Sequence, residues 1–265
     1  MSRELRRLLV EPARLRDVGE SLTLRPPERR YLEKVLRYRS GDRLAVVDGA
    51  GHLWTAALAE GGQLRLEQGV CAPLQSENAP RLALELAMAL PKREAELVWR
   101  MATELGADRL QPLLARRCLR TGNPPLERWA AVVREALEQC ERLWLPALLE
   151  PAAAAEWLAA GPPEVGLFAT TRRGALASLT EALGGGAGMV AKAAAGRDGI
   201  ARITLAIGPE GGWSPEEERV AEAAGWIPVS LGTGILRTPT AAVAGLALLA
   251  AWREVSSSSS PGPSP

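Results

Sequence analysis

Apolar and polar positions alternate over short stretches in the first part of the chain: Arg7 to Val10, Ser21 to Leu24, Arg43 to Asp48, His52 to Leu58 and Gln63 to Gln68. Alternation with period two, bounded by turn residues, predicts half-buried strands. Residues 1–74 therefore read as a small β-rich module, interrupted by one helix over Pro27 to Leu36. The polar, proline-bounded stretch Pro73 to Pro80 reads as a linker. After it the pattern changes, and apolar β-type runs alternate with amphipathic helical segments. The pairs are Arg81 to Leu90 with Glu94 to Leu105, Leu110 to Ala115 with Leu126 to Glu141, Val165 to Thr170 with Gly174 to Leu183, Ile203 to Ile207 with Ser214 to Ala224, and Pro228 to Leu231 with Thr240 to Glu254. Such alternation predicts an α/β fold over residues 80–254, with a mostly parallel sheet covered by helices. Gly184 to Gly199, rich in Gly and Ala, reads as a flexible surface insertion, and 255–265 as a disordered Ser/Pro tail.

Composition narrows the function classes. The 265 residues are 47% hydrophobic, enough for a sizeable core, and 32 Lys and Arg against 31 Asp and Glu leave a net charge of +1. No global basic field announces a nucleic-acid partner, so any such partner must be read from local patches. Residues 1–74 carry 13 basic against 10 acidic residues, and Arg30, Lys34 and Arg37 fall along one face of the expected helix. One Phe, two Tyr and eight Trp, the Trp mostly in segments with helical character, form no cluster that would serve as a stacking platform for bases. The single histidine, His52, lies in the turn Asp48-Gly-Ala-Gly-His52 and reads as a solvent-exposed turn residue, which leaves Ser-His-Asp, Cys-His and multi-histidine metal chemistry without support. Cys71, Cys118 and Cys140 are widely spaced, odd in number and free of any CxxC pair, so they read as reduced thiols with no metal site. The first residues are too charged for a signal peptide, and the longest apolar run, Ala241 to Trp252, is too short for a bilayer span. A cytoplasmic protein is expected, with that run as a buried or interface helix.

The most informative chemistry lies in two Gly-rich loops. The apolar run Ile203 to Ile207 ends in Gly208-Pro-Glu-Gly-Gly212, after which Ser214-Pro-Glu-Glu217 combines an N-cap hydroxyl, a proline at the first helical position and a glutamate three residues after the cap. About twenty residues later comes Leu231-Gly-Thr-Gly-Ile-Leu-Arg237. Strand-to-helix loops of this kind build small-molecule sites in open α/β sheets. Neither loop matches a phosphate-binding fingerprint. Glu210 would repel a polyphosphate and suits a neutral or cationic ligand.

These loops, Ile207-Gly-Pro-Glu-Gly-Gly-Trp-Ser214 with Leu231-Gly-x-x-Ile-Leu-Arg237 and Thr240-Ala241, resemble the bacterial 16S rRNA uridine-N3 methyltransferase family of the SPOUT superfamily. Ala89-Leu-Pro-Lys92, Ala102-Thr-Glu-Leu-Gly106, Arg117-Cys118 and Glu138-Gln-Cys140 agree with that family's successive signatures, and Arg6-Arg-Leu-Leu-Val10 and Val35-Leu-Arg37 with Gly41-Asp42 look like its small RNA-binding domain. The resemblance spans residues 3 to about 253. It implies a PUA-like β-barrel followed by a SPOUT α/β domain with a carboxyl-terminal trefoil knot, acting as a homodimer on 16S rRNA within the 30S subunit. It also implies S-adenosylmethionine as methyl donor, with no metal. Under it the cofactor residues are Leu205, Ile207, Gly208, Glu210, Gly211, Gly212, Leu231, Gly232, Ile235, Leu236, Thr240 and Ala241, and Arg237 is the catalytic residue. The RNA-binding residues are Arg6, Arg7, Arg30, Lys34, Arg37, Lys92 and Arg117. The chain departs from the pattern at three positions. Gly234 stands for an arginine, Pro239 for a glutamate, and Glu141 for the glycine usual after Glu-Gln-Cys. Two other readings stay open at this level: a SPOUT enzyme acting on another RNA nucleoside, and a non-catalytic RNA-binding or ribosome assembly factor.

Overall fold

The computed structural model describes residues 5–16, 21–119, 123–171, 173–174, 176–184, 190 and 202–258. The chain divides into two units, Met1–Ala79 with Arg134–Leu145, and Pro80–Val133 with Pro146–Pro265.

In the first unit, strands β1 (Arg7–Leu9), β2 (Ser21–Thr23), β3 (Arg43–Val47), β4 (His52–Ala59), β5 (Gln63–Leu66) and β6 (Gln75–Ser76) form one sheet in the order β1-β3-β4-β5-β2, with β6 added beside β4. All pairs are antiparallel except β1 with β3. Alternation sorts the side chains onto two faces. Leu8, Leu44, Val46, Trp54, Ala56, Leu58 and Leu64 enter one core, while Leu9, Ala45, Val47 and Leu53 pack with Leu137 and Leu143 in another. Strand β3 is thus covered on both sides. The sequence pattern assigns 134–145 to the second domain, but these long-range contacts place it with the first unit. The stretch read as a linker, Pro73 to Pro80, contributes β6.

Helix α2 (Pro26–Arg30) follows the short helix α1 (Pro12–Arg16) and continues as a π-helical turn, Tyr31–Val35. The wider turn ends the expected helix early. Arg37 lies beyond it in the left-handed region, at φ 58°, so it does not extend the face of Arg30 and Lys34. His52 is half-exposed rather than free in solvent: its Nδ1 lies 2.7 Å from Oδ2 of the buried Asp48.

The edge strand β1 is closed by side chains of helix α4 (Leu126–Cys140) instead of by another strand. The N–H of Leu9 donates to Glu138 Oε1 at 2.7 Å, and its carbonyl accepts from Arg134 Nη2 at 3.1 Å. Burial pushes the Glu138 carboxyl above its ordinary value of 4.5, against the lowering effect of the Leu9 N–H and of Arg134. A carboxyl raised in the folded state stabilises the fold below the unfolded-state value, and that contribution is lost as pH rises through the folded-state value. Glu138→Gln keeps an acceptor for Leu9 without a charge to desolvate. Its melting temperature relative to the parent is expected to rise as pH increases from about 4.5 toward 7. A difference that is flat with pH in paired thermal melts would contradict this. Glu141, just past α4, also adopts left-handed geometry at φ 65°. A glycine would sit there without strain; here Arg7 binds both the carbonyl and the carboxylate of Glu141.

In the second unit every strand pair is parallel. Strands β7 (Ala83–Ala89), β8 (Arg109–Leu114), β9 (Ala147–Leu148), β10 (Ala152–Ala153), β11 (Val165–Ala169), β12 (Arg202–Ile207) and β13 (Ile227–Val229) run in the order β10-β8-β7-β12-β11-β13, with β9 beside β8. On one face Ala87, Ala89, Phe168 and Ala206 pack with residues of α5 (Ala154–Ala159) and α7 (Pro215–Ala223). On the other, the last helix, α8 (Thr238–Ser258), packs on β7, β12, α3 (Ala95–Glu104) and α6 (Leu179–Leu183). Gly245 of α8 sits against Leu205, where a Cβ would come within 2.6 Å of Leu205 Cδ2. Helix α8 runs through Ser258, so residues 255–258 are helical and not part of a disordered tail. The rest of that tail, and the stretch Gly184 to Gly199 apart from Gly184 and Val190, lie outside the described residues.

Candidate active site

Three neighbouring strands end at one level. Ala169, the last residue of β11, is in register with Ile207 at the end of β12 and with Val229 at the end of β13. The loops that leave these ends line a cavity of about 380 Å³. This is the carboxyl edge of a parallel sheet, at the point where β12 inserts between β7 and β11 and the strand order reverses. The walls come from Ala169 to Thr171 and Arg173 after β11, from Ile207 to Trp213 after β12, and from Leu231, Gly232 and Gly234 to Leu236 after β13. Arg117, Pro215, Glu218, Thr238 and Ala241 complete it.

The glycine-rich loop is fastened along its length. Thr238 Oγ1 donates to the Gly208 carbonyl at 2.8 Å, tying the first loop to the start of α8. Lys92 N–H donates to Glu210 Oε1 at 3.1 Å. Arg117 Nη1 donates to the carbonyls of Gly211 and Trp213 at 3.1 and 2.9 Å. The buried indole of Trp213 donates to the Ala169 carbonyl at 3.0 Å and so joins the β12 loop to the end of β11. Its ring lies where a Cβ on Gly208 would come within 3.1 Å, which is why that position is glycine. Gly212 has φ 69°, a geometry that side chains disfavour.

Helix α7 opens with the capping box expected from its sequence: Ser214 Oγ accepts from Glu217 N–H and Glu217 Oε2 from Ser214 N–H. The other oxygen of Glu217 accepts from the N–H of Arg116 at 2.9 Å. Glu218 accepts from Thr170 Oγ1 and lies 3.8 Å from Arg173 Nε, while Arg173 Nη1 pairs with Glu222. Burial pushes the Cys118 thiol up, and the nearby carboxylates of Glu210 and Glu217 push the same way. Beside this cavity Cys118 is a neutral thiol at pH 7, not a nucleophile. Among the described residues no cluster of His, Cys, Asp and Glu is arranged to hold a metal, and no helix is long and apolar enough to cross a membrane.

Residues 77–250 match a family model described as an RNA methyltransferase domain, and residues 24–67 one described as an RNA methyltransferase PUA domain. A ribosomal RNA small subunit methyltransferase E of Synechocystis sp. is 37% identical over 255 residues, which cover 94% of this chain and 78% of the relative. The chain belongs to the ribosomal RNA small subunit methyltransferase E family. A family member from Neisseria gonorrhoeae, solved bound to S-adenosyl methionine, is 27% identical with a TM-score of 0.73, over 93% of this chain and 97% of that one. A Legionella pneumophila methyltransferase, solved with bound SAM, is 26% identical with a TM-score of 0.74, over 94% and 98%. The fold is that of the family: a PUA-like first domain and a SPOUT-type α/β domain.

Most residues that the family resemblance marks for a cofactor meet in the one cavity: Ile207, Gly208, Glu210, Gly211, Gly212, Leu231, Gly232, Ile235, Leu236 and Ala241. Leu205 does not: it shares a strand face with Ile207 but lies two residues further from the strand end, beneath Gly245 of α8. Thr240 is exposed and lies outside the wall; Thr238 and Ala241, three residues apart on α8, line it instead. Arg237 is exposed, lines neither this cavity nor its neighbour, and has no side-chain partner among the described residues. Arg6, Arg30, Lys34 and Arg37 are exposed, whereas Arg7 is engaged by Glu141. Lys92 meets Glu210 through its backbone, leaving an exposed side chain, and Arg117 is committed to the loop carbonyls.

The loop after β11 is the part of the site that the sequence pattern does not mark. Gly174 to Leu183 reads as a helix, but α6 starts only at Leu179, after the capping residue Ser178. The described residues between 170 and 177 are therefore loop. The visible signal is a strand ending in two threonines followed by arginine; what is not visible is that β11 lies between β12 and β13.

Proposed function

We propose that this chain methylates N3 of a uridine in 16S rRNA of the small ribosomal subunit, with S-adenosylmethionine as donor, as a cytoplasmic homodimer. S-adenosylmethionine-dependent methylation of small-subunit rRNA is the activity of its family. The observation that carries the donor site is the glycine-built cavity at the three strand ends. A Cβ on Gly208 or Gly211 would come within 3.1 Å of Trp213 or Arg117, so these glycines let both side chains brace the loop, while Ile207, Leu231, Leu236 and Ala241 offer an apolar wall for adenine and the carboxylates of Glu210 and Glu218 suit a sulfonium cation. When bound between the Gly208–Gly212 loop and the Leu231–Leu236 loop, S-adenosylmethionine would supply an electrophilic methyl group on a sulfonium, and the acceptor would be the uridine N3 once its proton is lost to water.

The chain's own part is to hold the donor, exclude water and stabilise charge that develops on the uracil oxygens. Arg237 is the proposed guanidinium for that charge, reaching the base across the dimer rather than within one chain. The carboxyl-terminal segment is read as a trefoil knot, consistent with α8 returning over β7 and β12 while Thr238 fastens Gly208. Arg6, Arg30, Lys34, Arg37 and Lys92 are the proposed phosphate contacts. Pro239 sits in the first turn of α8, where no backbone N–H is needed, so the fold tolerates the missing glutamate.

The test is transfer of labelled methyl from S-adenosylmethionine to 30S subunits that lack the modification, with the product nucleoside identified by mass. N3-methyluridine is expected. A different methylated nucleoside would move the target. Tight RNA binding with no transfer would leave an assembly factor.

A further inference from the structure

A second cavity of about 450 Å³ adjoins the first and shares with it the wall formed by Thr170, Thr171, Arg173, Gly232, Gly234 and Ile235. Its remaining lining includes Ser178, Ser230 and Thr233, so it is rich in hydroxyls where the first is rich in glycine and apolar groups. We infer, on the function proposed above, that this second cavity takes the target pyrimidine ring, and that Arg173 in the shared wall supplies a second guanidinium, in addition to Arg237, that steadies the base as its N3 proton leaves.

The geometry of two adjoining cavities suits group transfer, because the attacking atom and the transferred carbon must approach to about 3–3.5 Å. They can meet only at a wall that both ligands touch. A pyrimidine edge with an N–H between two carbonyls calls for donors and acceptors side by side, and a hydroxyl is both. The Ser178 and Ser230 hydroxyls are used within their own loops. Those of Thr171 and Thr233 have no hydrogen-bond partner among the described residues.

Among the described residues, two guanidinium groups line these cavities, and only Arg173 lines both. Arg117 reaches the first alone and is spent on the carbonyls of Gly211 and Trp213. Arg173 meets Glu222 through Nη1 and approaches Glu218 through Nε, which leaves Nη2 without a partner among the described residues. The two carboxylates hold the side chain at the shared wall, and the unused N–H bonds are directed to one uracil oxygen. Loss of the N3 proton spreads negative charge onto that oxygen, and a fixed cation beside it lowers the cost.

The experiment compares the parent with T233W, R173A and R173K. Each is measured for S-adenosylmethionine affinity by calorimetry and for single-turnover methyl transfer to 30S subunits across pH. Thr233 is exposed and unbonded, so tryptophan there closes the second cavity from its rim. T233W is expected to bind S-adenosylmethionine within about twofold of the parent and to lose about 10²-fold in transfer rate. R173A is expected to lose about 10²–10³-fold, with its pH-rate curve displaced to higher pH, where the base ionises without help. R173K should recover part of the rate and of the displacement. Parental transfer by T233W, loss of donor binding in T233W, or an R173A curve that superimposes on the parent's after scaling would each overturn the inference. A parent that transfers no methyl group to RNA would instead remove the functional reading, and this inference with it.

Discussion

Replacing Trp213 by alanine is expected to remove about 3–5 kcal/mol of stability and S-adenosylmethionine binding with it. The indole is 4% exposed and packs against Gly208. Its N–H is the partner of the Ala169 carbonyl. Truncation opens a void the size of two rings beneath the glycine-rich loop and deprives that carbonyl of its donor. A domain with a total stability of about 5–15 kcal/mol keeps its fold at low temperature after such a loss but has little in reserve. Binding suffers more than folding, because the ring joins two of the three segments that form the cavity. Thermal melts with calorimetric titration of the donor would read both effects. W213F separates them further: it keeps one aromatic ring in the site but lacks the N–H and the second ring, so it should lie between parent and alanine variant in both measurements. A W213A protein that binds the donor with parental affinity would show that the loop holds its shape without the ring.

Glu217→Ala is the second large effect, expected to cost about 2–4 kcal/mol. Glu217 is 2% exposed. Its two oxygens accept from two backbone N–H groups that come from different places in the chain, Ser214 at 2.7 Å and Arg116 at 2.9 Å. Alanine leaves the buried Ser214 N–H and the part-buried Arg116 N–H without this acceptor, and the penalty for an unsatisfied buried group exceeds what the bond contributes when made. Glutamine restores one acceptor but turns an NH₂ toward the other donor, so the expected order of melting temperatures is parent, E217Q, E217A. Equal melting temperatures for E217Q and E217A would mean that only one of the two contacts matters.

What could be read from the sequence is what depends on local pattern. Alternation placed the first five strands within a residue or two of where they lie, and the Ser214 to Glu217 signature gave the start of α7. Short strands such as Ala147–Leu148 and Ala152–Ala153 carry too few positions for any period, and α5 lies in an Ala-rich run with no apolar stripe. The π turn after Arg30 has no propensity signal, so the basic face drawn through Arg37 does not form. At the site, the glycines were legible because they mark backbone geometry. Leu205 shares a strand face with Ile207 and so reads as part of the wall, but it is covered by Gly245, forty residues away, and Arg173 was missed because it depends on which strands are neighbours. The stretch 134–145 follows the same rule, its place being fixed by Leu9 and Val47 far upstream.

Among the described residues the cavity is walled by Ala169 to Thr171 with Arg173, by Ile207 to Trp213, and by residues between Leu231 and Ala241, and its last wall is the beginning of α8. A chain growing from its amino terminus can complete its first unit and most of its sheet well before that wall exists. The cavity that the proposed function assigns to the donor is therefore among the last features to appear during synthesis, and a nascent chain can hold its first unit and most of its second sheet before that cavity can form.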